Sequence, residues 1–193
     1  MSHRLDRAFF ERPVTTVAPE LLGLVLACGD RAGRIVEVEA YGGADDPASH
    51  GHRGRTPRNA VMFGPPGHLY VYFTYGMHWC ANVVCEPDGH CGAVLVRALA
   101  PVGGTEGMWA DRPRARRERD LCSGPAKLTA ALGIAGNHNG ADLLDPDSPV
   151  VLVSGDAVPL RQATSPRIGI TAATDRPWRW YLPGDPNVSR TPR

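Results

Sequence analysis

One stretch near the middle of the chain, residues 67–84 (GHLYVYFTYGMHWCANVV), constrains the fold more than any other. Two arms rich in aromatic and β-branched residues flank the dipeptide Tyr75-Gly76, which predicts a β-hairpin with a tight turn. An apolar face of the first arm would rest on the core, tyrosines would face outward, and Tyr75 would project beyond the strands. Alternation along the arm places Leu69, Val71 and Phe73 on the apolar face. It places Tyr70, Tyr72 and Thr74 on the outward face. A hairpin whose tyrosines only cover a sheet gives the same pattern.

A second strand is predicted at residues 34–41 (RIVEVEAY), after a strand at 24–28 and a turn at 30–33. Valine and alanine side chains share one face of this strand, while Glu37, Glu39 and Tyr41 share the other. The two carboxylates therefore point away from the core. In most proteins such a face is simply solvated, and the pattern alone leaves that interpretation open.

The chain has 193 residues, enough for one well-packed domain, and we expect a single domain over residues 1–193. The net charge of +1 does not decide whether the partner is a nucleic acid. Lys127 is the only lysine, and arginines cluster at 53–58 and 112–119. Either GC-rich coding or the forked geometry with which arginine binds phosphate explains this bias.

Five cysteines without a CxxC pair indicate a reducing compartment rather than a disulfide framework. The first residues lack the apolar run of a signal peptide, and no later segment reaches the length of a membrane span. We therefore expect a cytosolic protein with no membrane association, located with the nucleoid if the source is bacterial.

Several further elements can be placed from capping residues and periodicity. We expect a helix from a Thr15 or Thr16 cap to Leu22 with Pro19 in its first turn, and another that Ser123 caps and Gly133 ends. The free N–H groups of the second helix could hold a phosphate. The remaining predictions are a long loop at 42–66 with a helical turn at 59–63, strands at 92–99, 150–153, 167–170 and 178–182, and a helix at 105–110.

Within the strand at 92–99, Arg97 is the one charged residue. It requires either an exposed sheet edge or a partner in a cleft. The arginine-rich run at 112–119 is interpreted as a solvated surface. His50, His52 and the scattered cysteines lack zinc spacing, and neither a phosphate-binding loop of the GxxxxGK type nor a nucleophile elbow is present. No metal or cofactor is therefore expected.

Six motifs in the same order resemble the alkyladenine (3-methyladenine) DNA glycosylase family. The resemblance runs from about Asp6 to Ser189, and its specificity lies in the order of the motifs, because each alone is weak. The matching segments are residues 34–41, 48–50 (ASH), 55–59 (RTPRN), 67–82, 94–99 (VLVRAL) and 121–128 (LCSGPAKL).

The resemblance implies a monofunctional enzyme that extrudes a damaged purine nucleotide from double-stranded DNA and hydrolyses its N-glycosidic bond. It implies that Tyr75 is the side chain inserted into the gap, with Met77 supporting it. The flipped base would then stack among aromatic rings, and an amide would select against normal guanine at the edge of the base. The family motifs assign the stacking role to Tyr41, His50 and Tyr72. They assign the selection against guanine to Asn82.

The resemblance also implies the catalytic groups. Glu39 corresponds to the general base, with Arg97 positioning the water, and Glu37 is the rival carboxylate on the same strand face. Phosphate contacts would come from Arg55, Arg58, Ser123, Gly124 and Lys127. Relative to animal members, a long N-terminal extension is missing and the loop between His50 and Arg58 is one residue shorter, which leaves open which phosphate each residue of that loop contacts.

The implied fold is mixed α/β (α+β), with one curved, mostly antiparallel sheet that carries a protruding, DNA-intercalating hairpin. We expect a monomer. Two other functions remain open from the sequence. A non-catalytic protein could recognise damaged DNA with the same hairpin but would not need Glu39, and a metal-dependent hydrolase could use His50 and His52.

Overall fold

A sheet of eight strands forms the centre of the protein in a computed structural model that describes residues 5–155 and 161–189. All strand pairs in these residues are antiparallel, in the order β3-β4-β5-β2-β1-β6, with β8 and then β7 attached to β2. The strands are β1 (Val25–Cys28), β2 (Arg31–Tyr41), β3 (Leu69–Thr74), β4 (His78–Val84), β5 (Ala93–Gly103), β6 (Val150–Val153), β7 (Ala163–Ser165) and β8 (Arg179–Tyr181).

Short helices cover this sheet and complete the main hydrophobic core. They are α1 (Arg7–Phe10), α2 (Val14–Glu20), α3 (Thr105–Asp111), α4 (Arg119–Cys122) and α5 (Pro125–Leu132), with 3₁₀ turns at Ala60–Phe63 and Gly136–His138. Helix α2 packs on β2, while α5 packs on β4 and β5. The mixed α/β class with a curved antiparallel sheet is thus confirmed.

Strand β2 holds the central position that matters for the site. Strand β5 pairs along one of its edges, and the other edge is shared by β1 and, around residues 37–39, by β8. The β2–β5 register shifts on both sides of Glu37. Such β-bulges bend a strand and redirect side chains, so the middle of β2 lies where the sheet curves.

The predicted start of the first long helix is wrong. Helix α2 begins at Val14 rather than after Thr15 or Thr16, and Pro19 lies near its end rather than in its first turn. The Val14 N–H group donates to the Glu86 carboxylate at 2.7 Å. Because this cap comes from a residue far along the chain, local capping patterns could not reveal it.

The predicted serine cap of α5 is also wrong. Gly124 occupies the N-cap position with φ 153°, and no side chain caps the helix there. The backbone of Ser123 instead forms a β-bridge with Ala98 in β5. The predicted end of the helix is confirmed, because Gly133 adopts a left-handed conformation with φ 72°.

A strand was expected at residues 167–170, but these residues form an irregular segment, and the strand in this region is β7. Two features remove the segment from the sheet. The Arg167 side chain is buried against Asp46, and the Ile168 N–H donates to Glu39 rather than to a neighbouring strand. The predicted strands at 150–153 and 178–182 correspond to β6 and β8.

Strands β3 and β4 pair from Leu69 opposite Val83 to Thr74 opposite His78. Between them, Tyr75 and Gly76 have φ of 50° and 65°, and the Met77 N–H donates to the Thr74 carbonyl at 3.3 Å. Positive φ at both central residues is the conformation that favours tight hairpin turns. The insertion of this turn into DNA stays a prediction.

The two faces of β3 differ from expectation at two residues. Leu69 and Val71 enter the core as predicted, but Phe73, expected on the same face, is 43% exposed and packs on Trp79 with ring centroids 4.8 Å apart. Tyr70, expected to face outward, is only 1% exposed. It belongs to a second cluster with Met62, because the segment around the Ala60–Phe63 turn covers that face of the sheet.

Candidate active site

Both carboxylates of β2 are completely buried. Glu37 and Glu39 each have 0% exposure, so the solvated-face interpretation is wrong. Arg97 is 8% exposed and lies on β5, which is flanked by β4 and β2, so it does not occupy an exposed edge. Its guanidinium joins the two carboxylates, with Nε 3.0 Å from Glu37 Oε1 and Nη1 3.2 Å from Glu39 Oε2.

Glu37 is the more fully bonded of the two carboxylates. Besides Arg97, it accepts hydrogen bonds from Arg179 Nε at 2.7 Å, from the Ser189 N–H at 2.6 Å and from Ser189 Oγ at 2.8 Å. Four donors occupy its two oxygens. Burying a charge is tolerated when hydrogen bonds and countercharges surround it in this way, which is the environment of a structural carboxylate.

Glu39 has fewer partners, and they are placed differently. Its Oε1 accepts from the Ile168 N–H at 2.7 Å, and its Oε2 accepts from the Tyr41 hydroxyl at 2.9 Å and from Arg97. Tyr41, Arg97 and Ile168 all line one cavity. Glu39 therefore lies directly behind the wall of that cavity, and its Oε1 retains capacity for a second hydrogen bond.

This cavity, which we call the base pocket, has a volume of about 280 Å³. It lies just below the ~300–1,000 Å³ range typical of small-molecule sites, so it suits one compact ring system. Four residues predicted to contact the base line it together. These are Tyr41, His50, Tyr72 and Asn82.

Aromatic side chains in the base pocket support one another. His50 meets Tyr72 edge to face at 4.5 Å between ring centroids, and its Nδ1 lies 3.0 Å from the Tyr70 hydroxyl. Tyr70 in turn stacks on Tyr72 at 5.4 Å. Asn82 is fixed by donating from Nδ2 to the Tyr70 carbonyl at 3.0 Å. Tyr70, expected only as sheet cover, thus holds three of the pocket residues in place.

The electrostatics of the base pocket keep its aromatic groups uncharged. Burial raises the pKa of Tyr41 and Tyr72 above the usual value of 10, reinforced by Glu39 at Tyr41 and by Cys80 at Tyr72, so both hydroxyls remain protonated. Burial, followed by the positive charge of Arg58, lowers the pKa of His50 below 6.5. Burial alone would lower the pKa of Arg97, but Glu39 and Glu37 raise it, which keeps its positive charge.

A buried ion pair ties two walls of the base pocket together. Arg167 contacts both oxygens of Asp46 at 2.6 and 2.8 Å, and neither side chain is exposed. Asp46 also accepts the N–H groups of Gly42 and Ala48. Arg167 packs over the Tyr41 ring at 4.7 Å and immediately precedes Ile168. Neither periodicity nor the motifs predict this pair, because nothing local connects residues so far apart in the chain.

Asn59 organises the loop that carries His50, a role that the sequence patterns did not predict. Its Nδ2 donates to the carbonyls of His50 and Gly54, and its Oδ1 accepts the Thr56 N–H at 2.6 Å. Arg58 then reaches the Phe73 carbonyl at 2.9 Å. Its contact with phosphate, like that of the exposed Arg55, stays a prediction.

The mouth of the base pocket is formed by the turn between β3 and β4. Tyr75 lines the pocket and is 84% exposed, and Met77 beside it is 68% exposed. Large apolar side chains left in water at a strand turn point to an interaction surface. Both residues predicted to intercalate are therefore accessible.

Ser123, Gly124 and Lys127 do not line the base pocket but a second cavity of about 520 Å³, which we call the basic cleft. It shares Arg97 and Ile168 with the base pocket. Arginines of the run at 112–119 also line it, and Arg116 and Arg117 are exposed, as the interpretation of that run as a solvated surface predicts. The cleft is lined by Arg97, Arg116, Arg117, Arg119, Asp120, Ser123, Gly124, Lys127, Ile168, Pro186, Val188 and Ser189.

His50 and His52 have separate partners, since His50 faces Tyr70 while His52 Nδ1 lies 2.6 Å from the Ala44 carbonyl. Within residues 5–155 and 161–189, no three His, Cys, Asp or Glu side chains are grouped in a way that could hold a metal ion. In the same residues, no helix is both long and apolar enough to span a membrane.

Comparison with known proteins agrees with the motifs. Residues 8–186 match the family described as "Methylpurine-DNA glycosylase (MPG)". The chain belongs to the methylpurine-DNA glycosylase family. The family expected from the six motifs is thus confirmed.

Curated members of the methylpurine-DNA glycosylase family resemble the chain over almost its full length. A protein of Burkholderia lata is 60% identical over 96% of this chain and 90% of its own, and one of Nocardia farcinica is 51% identical over 92% and 88%. A protein of Streptomyces avermitilis is 48% identical over 98% and 94%. All three carry the name "Putative 3-methyladenine DNA glycosylase".

Proposed function

We propose that the protein is a base-excision-repair DNA glycosylase that flips damaged purine nucleotides out of duplex DNA and hydrolyses their N-glycosidic bond. Family membership supports glycosylase activity. One structural observation carries the mechanism: Glu39 lies behind the wall of an aromatic pocket and is bonded to three residues that line it, Tyr41, Arg97 and Ile168.

A base inside a duplex is out of reach of any catalytic group, so the nucleotide must first leave the stack. In our proposal Tyr75 enters the vacated position, with Met77 beside it, and the flipped base occupies the adjacent pocket. Stacking on an aromatic ring contributes about 1–3 kcal/mol per base, which offsets part of the cost of flipping. The exposure of both side chains at the mouth of the base pocket supports this assignment.

The base pocket would recognise the flipped purine by its faces and one edge. Rings of Tyr41, His50 and Tyr72 offer uncharged aromatic surfaces, which favours damaged purines that carry a positive charge, because a cation is attracted to an aromatic face. Asn82 is held rigidly by the Tyr70 carbonyl. A fixed amide discriminates between base edges because it cannot turn to accommodate the wrong one.

Glu39 would act as general base on a water molecule. The bond from the sugar C1′ to the base nitrogen breaks, and its electron pair leaves with the purine. The water oxygen forms the new bond to C1′ while its proton passes to Glu39. Arg97, which contacts Glu39, orients the water, and the product is an abasic site.

Glu39 has no exposed surface, so this mechanism requires one of its contacts to loosen when a nucleotide enters the base pocket. The Ile168 N–H is well placed for this change, because it lies in an irregular segment and holds the oxygen with the free acceptor site. Hydrogen bonds in unliganded active sites commonly rearrange in this way when substrate binds.

The test is base release from a panel of duplexes, each with a single alkylated or deaminated purine, in the presence of a chelator. We expect release of the free base from at least one lesion with the strand left intact at the abasic site. A lyase would instead nick the strand and form a borohydride-trapped adduct through an amine such as Lys127. Tight lesion binding without any release would replace the proposal with a non-catalytic recognition protein.

A further inference from the structure

Positive charge in the basic cleft is concentrated and unbalanced. The charge of Arg97 is matched by Glu37 and Glu39, but the cleft also holds four other cationic side chains and only one carboxylate, Asp120. These cations are Arg116, Arg117, Arg119 and Lys127. The cleft therefore carries a net charge of +3 in a chain whose total is +1.

The single carboxylate does not neutralise these arginine side chains. Asp120 accepts the backbone N–H groups of Arg116 and Arg117 at 3.4 and 3.1 Å, which fixes the turn that presents them. Within residues 5–155 and 161–189, none of the four cations forms an ion pair with a carboxylate. Like charges held together in a cleft repel one another unless an anion enters.

The basic cleft begins where the base pocket ends. Arg97 and Ile168 line both cavities, and Ser189, which bonds to Glu37, lines the cleft. A DNA strand whose nucleotide occupies the base pocket therefore has the basic cleft along one side of that nucleotide, within reach of its neighbouring phosphates. Guanidinium groups bind phosphate through two parallel hydrogen bonds, whereas Lys127 is a point charge.

We propose that Arg116, Arg117 and Arg119 form a phosphate-binding site for the DNA strand that carries the flipped nucleotide. These arginines would bind further phosphodiester groups, next to the one predicted to contact Ser123, Gly124 and Lys127. The ligand class is the sugar–phosphate backbone, without sequence preference. The inference rests on the proposed function because it takes DNA as the partner.

The experiment measures binding to an undamaged duplex as a function of salt concentration, which separates this inference from base release. The binding constant K for duplex DNA falls with salt, and each phosphate contact contributes about −0.9 to the slope of log K against log salt. We expect this negative slope to become shallower by about 1–2 in the double variant Arg117→Ala/Arg119→Ala. Arg114→Ala is the matched control, because Arg114 is exposed in the same run but does not line the cleft.

An unchanged slope in the double variant, with base release intact, would overturn the inference and leave the proposed function standing. An equal fall in slope for Arg114→Ala would also overturn it, since the effect would then be one of overall charge. Loss of base release in the wild type with the expected slopes would instead contradict the proposed function alone. Inorganic phosphate that binds the wild type but not the double variant, with the same duplex slope in both proteins, would assign the cleft to free phosphate instead of DNA.

Discussion

The bottom and the mouth of the base pocket are built in opposite ways. At its bottom, Glu37, Glu39 and Arg97 are buried and joined by charged hydrogen bonds of 2.6–3.2 Å to one another and to neighbouring groups. At its mouth, Tyr75 and Met77 are mostly exposed. Catalytic groups must be held in place before the reaction, whereas a side chain that fills a gap in DNA must be free to meet it.

This contrast predicts two kinds of variant. Changes behind the pocket wall should alter bond cleavage or folding regardless of how the lesion is paired. Changes at the mouth should matter in proportion to the difficulty of extruding the base.

Glu39→Gln should abolish most of the chemistry while leaving DNA binding in place. Glutamine keeps the shape of the side chain but cannot accept a proton from water, and general-base catalysis contributes roughly 10²–10⁴-fold. We therefore expect single-turnover excision to fall by at least about 100-fold with lesion binding retained. Excision at the wild-type rate would show that the wrong carboxylate has been chosen.

Glu37→Gln should instead act on stability. Four donors converge on Glu37, and removing one partner of a buried charged network costs about 3–5 kcal/mol because the remaining charges are left uncompensated. Chemical denaturation should show this loss in the free energy of unfolding. A stable Glu37→Gln protein that binds lesions but does not excise them would exchange the roles of Glu37 and Glu39.

Asp46→Asn should weaken the fold and change its response to acid. Burial raises the pKa of Asp46, but its hydrogen bonds to Arg167, Gly42 and Ala48 lower the pKa by more. The net pKa is therefore below the usual 3.8. The ionised pair therefore stabilises the protein above pH 3.8, and this stabilisation is lost as pH falls through the lower folded-state pKa. Asp46→Asn should lower the melting temperature at neutral pH and flatten its decline in acid.

The matched control for Asp46 is Asp185→Asn, because Asp185 pairs with Arg34 at 3.2 Å outside the base pocket. Excision separates the two variants. Only Asp46→Asn disturbs both the loop that carries His50 and the segment that holds Ile168 against Glu39. Equal excision by the two variants at a temperature where both are folded would mean that the Asp46–Arg167 pair stabilises the fold but does not position the groups around Glu39.

Much of this arrangement could be read from the sequence because it follows local patterns. Alternation identified β2, β3 and β4, and a glycine marked the end of α5. The family motifs selected four of the aromatic and amide residues that line the base pocket, together with Tyr75 at its mouth, but not Tyr70. Each of these features depends on residues that are close in the chain or on a recognised motif.

What could not be predicted depends on partners that are distant in the chain. The burial of Glu37 requires Arg179 and Ser189, the cap of α2 requires Glu86, and the irregular segment at 167–170 exists because Arg167 reaches Asp46. Periodicity describes a strand face but does not reveal what covers it. For this reason the carboxylates of β2 could be taken for a solvated face.

Tyr75→Ala should have the smallest effect and the one most dependent on DNA context. Removing a ring that fills the gap should shift the flipping equilibrium by about 1–3 kcal/mol, the magnitude of a base-stacking contact. Excision of an ordinary paired lesion should then fall more than excision of the same lesion opposite an abasic site, where less stacking is lost on extrusion. The measurement is single-turnover excision on the two duplexes, beside the melting temperature of the variant. Because Tyr75 is mostly exposed and alanine has the same Cβ, and so the same backbone strain at this positive φ, its replacement should not lower that temperature. Equal loss on both duplexes together with a lower melting temperature would mean that Tyr75 only supports the turn, and the contrast between the two ends of the pocket would no longer hold.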